Sequence, residues 1–155
     1  MTDHQKIEVK NSLKEACYTI FEQRISTAKS AIHEAQQAAN AEEKSSAGDK
    51  YETSRAMGHL EKDMHARQLS EHLKELASLH AVNVNILYTT PSTGALVQCR
   101  RISFFIASGL GKQSVDGNNI IFVSPHAPLA KSLFLKTKGE NFIFNGLEDT
   151  IVDIY

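Results

Sequence analysis

No proline interrupts the first 80 residues, and from Thr2 to Ala47 there is no glycine either. Proline removes a backbone donor and clashes with the preceding turn, and glycine is the next poorest residue for a helix interior. A stretch this long without either, rich in Ala, Glu, Lys and Gln, can form one uninterrupted helix. Within it Cys17, Phe21, Ile25, Ala28, Ile32, Ala35 and Ala39 recur at spacings of 4, 4, 3, 4, 3 and 4. That keeps one apolar stripe on one face and approximates the repeat of a coiled coil. The spacing predicts a helix from about Ile7 to about Glu43, packing more closely toward its far end, where the stripe turns to Ala.

Ser45-Ser46-Ala47-Gly48-Asp49 then breaks the pattern with turn-forming residues. The side-chain oxygens of Asp49 or Ser46 suit the unpaired N–H groups that open a second helix. Along that helix Met57, Leu60 and Met64, then Leu69, Leu73 and Leu76, form two trios out of step with each other, so the contact face is expected to shift near Arg67. Two helices of similar length joined by a short turn pack antiparallel. At about 1.5 Å per residue, a helix of roughly 30 residues reaches about 45 Å. The hairpin is therefore expected to project from whatever follows it.

Beyond residue 80 the composition changes. Residues 81–155 hold all three prolines, six of the eight glycines and most of the Val, Ile and Phe. Ala95–Cys99, Ile102–Ala107, Asn119–Val123, Asn141–Phe144 and Thr150–Tyr155 read as short strands. Asn145-Gly146 is a two-residue hairpin signal, and Pro128–Leu135 reads as a short helix opened by proline. The expectation is an α+β protein: a helical hairpin over residues 1–80, then a small antiparallel β domain over 81–155 with one helix packed across it.

The formal net charge of −1 gives no bulk field toward nucleic acid or an anionic membrane. No apolar run approaches the roughly 20 residues that span a bilayer, and the polar N-terminus lacks the middle of a signal peptide. A cytoplasmic location without a membrane partner is expected. Cys17 and Cys99 lie far apart without ligand-spaced neighbours and read as structural thiols. The seven histidines are scattered, and none forms the paired spacing that zinc peptidases use. Gly109-Leu110-Gly111-Lys112 lacks the strand–loop–helix frame of a phosphate loop. No nucleophile elbow or CxxC pair is present, so no tightly bound cofactor is expected.

The feature with most chemistry is the turn between the helices. Glu42, Glu43, Asp49 and Glu52 fall within eleven residues around Gly48. Such carboxylates can hold a hard cation such as Mg²⁺, alone or by completing a metal site in a partner. Equally, Asp49 can cap the second helix while the Glu side chains stay solvated. Lys44 and Lys50 interleave with the acids, and Tyr51 is placed to pack against Ala39 or Ala41.

Ser124-Pro125-His126-Ala127-Pro128-Leu129-Ala130-Lys131-Ser132-Leu133, followed by Gly139-Glu140, resembles a segment near the end of GreA/GreB-type bacterial transcript-cleavage factors. Gly94-Ala95-Leu96-Val97 and the closing Ile151–Tyr155 run are similar to the same domain of that family. The Ala-rich helix end, the acidic tip, and Tyr51 with Arg55 are similar to its hairpin. The resemblance implies an FKBP-like C-terminal domain seated at the mouth of the secondary channel of core RNA polymerase, with Ser124, Pro125, Pro128, Lys131 and Ser132 as contact residues. It implies a hairpin passing down the channel to the RNA 3′ end. There Asp49 and Glu43, with Glu42 and Glu52, would help hold a Mg²⁺ shared with the polymerase, which itself hydrolyses the RNA. When Tyr51 is aligned with the family's tip tyrosine, the essential Asp and Glu fall on Lys44 and Ala47. A secondary-channel regulator that does not support cleavage is therefore a second reading. A coiled-coil interaction module unrelated to polymerase is a third, and a prolyl isomerase, which needs an aromatic pocket from a chain without Trp, is a fourth.

Overall fold

The computed structural model describes the backbone of residues 1–44 and 48–155 and the side chains of 1–41 and 52–155. Helix α1 spans Asp3–Lys44 and α2 spans Gly48–His80. The first helix starts ahead of Ile7 because Thr2 and Gln5 form a capping box. Gln5 N–H donates to Thr2 Oγ1 at 3.2 Å and Thr2 N–H donates to Gln5 Oε1 at 2.8 Å. Each side chain thereby satisfies a donor that the helix end cannot pair. The chain forms two compact units, Thr19–Ala77 on one side and Met1–Tyr18 with Ser78–Tyr155 on the other.

In the helical unit the α1 stripe is as the spacing predicts: Phe21, Ile25, Ala28 and Ala35 are buried, and Ile32 and Ala39 half-buried. The α2 expectation is corrected. Met57, Leu60, Met64 and Leu73 are exposed, and the half-buried positions are Ser54, Gly58, Lys62, His65, Leu69, His72 and Leu76. These recur at spacings of 4, 4, 3, 4, 3 and 4, one continuous face with no shift at Arg67. Space is the physical reason. Opposite the alanine-lined part of α1 there is room for small or slender groups, and Gly58 sits across from Ala39. Lys62 uses its apolar stem to fill the face while its amine donates to Gln36 Oε1 at 2.6 Å.

The other unit is built on six strands: β1 Leu96–Cys99, β2 Ser103–Ile106, β3 Gly111–Val115, β4 Asn118–Val123, β5 Asn141–Phe144 and β6 Leu147–Ile154, with α3 at Pro128–Phe134 between β4 and β5. They form one sheet in the order β3-β4-β2-β1-β6-β5. Neighbours run antiparallel except β2 and β4, which pair in parallel. The protein is thus α+β, with two long helices followed by a mostly antiparallel sheet and a helix, as the sequence implies. Strand β3 was not expected, because its residues are polar and its pairing with β4 supplies what hydrophobicity does not. Two tight turns use positive φ, Asp116-Gly117 at 50° and 80° and Asn145-Gly146 at 50° and 75°. In both, the left-handed conformation suits the twist of the flanking strands.

Ala130 and Leu133 of α3 enter a core with Val97, Phe104, Ile106, Phe142, Ile151 and Ile154. Phe104 meets Phe142 and Phe144 edge-on, with ring centroids 5.7 and 5.2 Å apart. Three lysines of α1 tie its first turns to this unit. Lys6 pairs with Asp153 at 2.7 Å, and Lys138 reaches the same carboxylate at 3.2 Å. Lys14 donates to Val82 O at 2.6 Å. Lys10 is fully buried; its amine donates to the carbonyls of Ile86 and Gly94 and lies 4.6 Å from the centre of the Tyr88 ring. Gly94 has φ +96°, and a Cβ there would lie 2.4 Å from Asn83 O, so only glycine fits this crossing.

Candidate partner-binding surface

The segment after β4 is shaped by its own backbone bonds. Ser124 Oγ accepts from His126 N–H at 3.2 Å and Ser124 O accepts from Ala127 N–H at 3.0 Å. That turn delivers Pro128 to the first turn of α3, where its missing donor costs nothing. Lys131 N–H then donates to Ala127 O at 3.1 Å, and Lys136 N–H closes the helix on Leu133 O at 2.9 Å.

With Ala130 and Leu133 committed to the core, the helix period sends Pro128, Lys131, Ser132 and Leu135 to the opposite side. All four are exposed, Leu135 to 85%, while Ser124 and Pro125 are half-buried at the entry to the helix. The five residues predicted to contact a partner thus lie on one short segment, three on the exposed face of α3. Leu135 was not singled out in the sequence. Its place four residues after Lys131 and seven after Pro128 was the available signal. Lys131 makes no ion pair among the described residues. The face therefore sets a lysine without an ion-pair partner beside a large exposed leucine.

Of the tip carboxylates, Glu52 is exposed. The side chains of Glu42, Glu43 and Asp49, with those of Lys44 and Tyr51, lie outside the described residues, as does Ala47. Among the described residues no group of three or more His, Cys, Asp or Glu is placed to hold a metal ion. No described helix is long and apolar enough to cross a membrane.

The remaining titratable groups read as structural. Burial pushes the Cys17 thiol up to about 12, against the pull of a backbone hydrogen bond. Burial does the same to Cys99, to about 12, with the Asp149 charge adding to it. Neither thiol is a nucleophile near neutral pH. Burial lowers Lys10 to about 8. Burial also pushes Asp153 up, but hydrogen bonds from Lys6, Lys138 and Ile154 N–H and the charge of Lys6 outweigh it, and its carboxyl sits below the ordinary value. Tyr18 Oη and His80 Nδ1 share a hydrogen bond of 2.9 Å beside a polar cleft that Lys14 also lines.

No protein-family model matches the chain, and no curated protein matches it.

Proposed function

We propose that this chain is a regulator of transcription elongation that binds core RNA polymerase in the manner of the GreA/GreB-type factors, its sheet unit docking through the α3 face and its hairpin acting through the secondary channel. The observation that carries the reading is the exposed row Pro128, Lys131 and Ser132, which falls inside the segment that resembles that family, with Leu135 exposed just beyond it. The same chain carries a hairpin of two helices, 42 and 33 residues long. In this reading the protein is not itself an enzyme. Hydrolysis of backtracked RNA belongs to the polymerase, and the Mg²⁺ it uses would be held in part by Asp49 and Glu43, with Glu42 and Glu52 nearby. A cytoplasmic site of action follows from the partner.

A second reading keeps the docking and drops the cleavage, because Lys44 and Ala47 stand where the family's acids align. Stalled, backtracked elongation complexes separate the two. Incubated with the protein at saturation, they shorten their RNA under the first reading and not under the second. Asp49→Asn keeps the size of the side chain while removing its charge. Under the first reading it abolishes shortening and leaves binding intact. Complexes that neither bind the protein nor change their RNA would end both.

A further inference from the structure

We infer that the turn carrying Arg100 and Arg101 is a second docking point of the sheet unit, made for an acidic segment of a protein partner. This rests on the polymerase reading above, and in that reading the segment belongs to the polymerase surface.

The turn joins β1 to β2 and closes with Cys99 N–H donating to Ile102 O at 3.1 Å. Its conformation is fixed from below by Asp149, a carboxylate only 5% exposed. Arg101 N–H lies 3.2 Å from both Asp149 oxygens, Thr150 N–H donates to Oδ1 at 2.8 Å, and Arg100 N–H donates to Thr150 O at 3.1 Å. A buried carboxylate is costly unless it is hydrogen-bonded. Here its acceptors are occupied by backbone donors rather than by a cation, so the two guanidinium groups are left over. Both arginine side chains are exposed, and neither makes an ion pair or side-chain hydrogen bond among the described residues.

They line a cleft of about 400 Å³ with Asn141, Glu148, Asp149 and Thr150. The other polar groups of that cleft are already engaged. Asn141 Nδ2 donates to Glu148 Oε1 at 3.1 Å, and Thr150 Oγ1 donates to Asn141 Oδ1 at 2.7 Å. A preset turn with two unpaired guanidinium forks fits carboxylates, which arginine binds through two parallel hydrogen bonds.

The surroundings favour a protein over a nucleic acid. Strand β5 is an edge of the sheet, and Ile143, two residues from Asn141 on the same face, is 74% exposed. Val152 on the neighbouring strand is exposed as well. Residues 81–155 hold six basic against five acidic residues, far from the strongly basic surface that a phosphate backbone selects.

The test uses the full chain with Arg100→Glu and Arg101→Glu together, beside Arg100→Lys and Arg101→Lys together, each titrated against core RNA polymerase at low and at raised salt. Circular dichroism verifies that each variant is folded. The proposal expects charge reversal to weaken binding by about tenfold or more and to reduce its salt dependence, with the lysine pair losing less. Ile143→Asp, which leaves the turn untouched, should weaken binding too. Charge-reversed protein that binds like the wild type overturns the proposal and leaves the polymerase reading standing. Wild type that does not bind polymerase ends that reading, and the proposal with it. A single-stranded RNA oligonucleotide that binds wild type alone, and not the charge-reversed protein, would assign the turn to nucleic acid and overturn the proposal.

Discussion

Replacing Lys10 with methionine gives a signed prediction, because the side chain stays long and unbranched while the charge disappears. Lys10 is fully buried and its pKa is lowered from 10.5 to about 8. Below pH 8 both the folded and the unfolded chain carry the proton, and the cost of burying the charge is fully in place. Between pH 8 and 10.5 the unfolded chain still holds a proton that the folded chain has released, so stability rises with pH. At 1.36 kcal/mol per pKa unit the rise amounts to about 3 kcal/mol. The thiols act in the opposite sense. Cys17 and Cys99 stay protonated in the folded chain up to about 12, against an ordinary 9.0, so their contribution falls as pH climbs through that range. Subtracting the Lys10→Met curve from the wild-type curve cancels the thiols and isolates the lysine. The variant also leaves the carbonyls of Ile86 and Gly94 without their donor, at about 1–3 kcal/mol each, which offsets the relief of the buried charge near neutral pH. Denaturant unfolding followed by near-ultraviolet circular dichroism, from pH 7 to 10.5 in the presence of reductant, reads both curves. A wild-type-minus-variant difference that climbs by about 3 kcal/mol over that interval is the expected result. A flat or falling difference would refute the account of Lys10 as a buried cation.

Gly94→Ala should destabilise the sheet unit by more than about 2 kcal/mol in thermal melts, since its Cβ would meet Asn83 O at 2.4 Å with φ at +96°; an unchanged melting temperature would contradict this crossing. Gly58→Ala should do the reverse and stabilise by about 0.5–1 kcal/mol, because it sits inside α2 and the new Cβ lies at an ordinary 3.9 Å from Ala39. The native thiols should resist a disulfide reagent at mildly alkaline pH and react once the chain is unfolded, and Cys17→Ala should cost on the order of 1 kcal/mol. Rapid labelling of the folded protein would place a thiolate where burial forbids one.

The parts of the fold that were legible are those where the side-chain pattern and the backbone period agree. The α1 stripe and the Asn145-Gly146 turn are of this kind, and so is Pro128 at the head of α3. On α2 the pattern misleads. The apolar residues Met57, Leu60 and Met64 face solvent, while Gly58, Lys62 and His65 turn inward, because inward space was set by the alanines of the other helix rather than by hydrophobicity. Strand β3 was hidden because Gly111–Val115 carries little apolar character, although Asp116-Gly117 marked the turn that pairs it with β4. The parallel β2–β4 pair depends on a chain reversal through β3 that no local signal states. At the candidate surface, the residues of α3 could be named from the sequence, but Leu135 needed the burial of Ala130 and Leu133 to show which way it points. Arg100 and Arg101 were not singled out in the sequence, because Asp149, which lies beneath them, is 48 residues away from Arg101.

The central claim is that the α3 face docks on core RNA polymerase, and the direct measurement is the affinity of the polymerase for the full chain and for a Lys131→Glu, Leu135→Asp double variant. Both substitutions fall on exposed side chains, so the fold should survive them. Burying a leucine on docking contributes about 1.5–3 kcal/mol, and each 1.4 kcal/mol is tenfold in affinity. Saturable binding by the wild type, weakened by about tenfold or more in the folded double variant, is the predicted result. A wild-type chain that does not bind the polymerase, or a double variant that binds as tightly as the wild type, would contradict the claim.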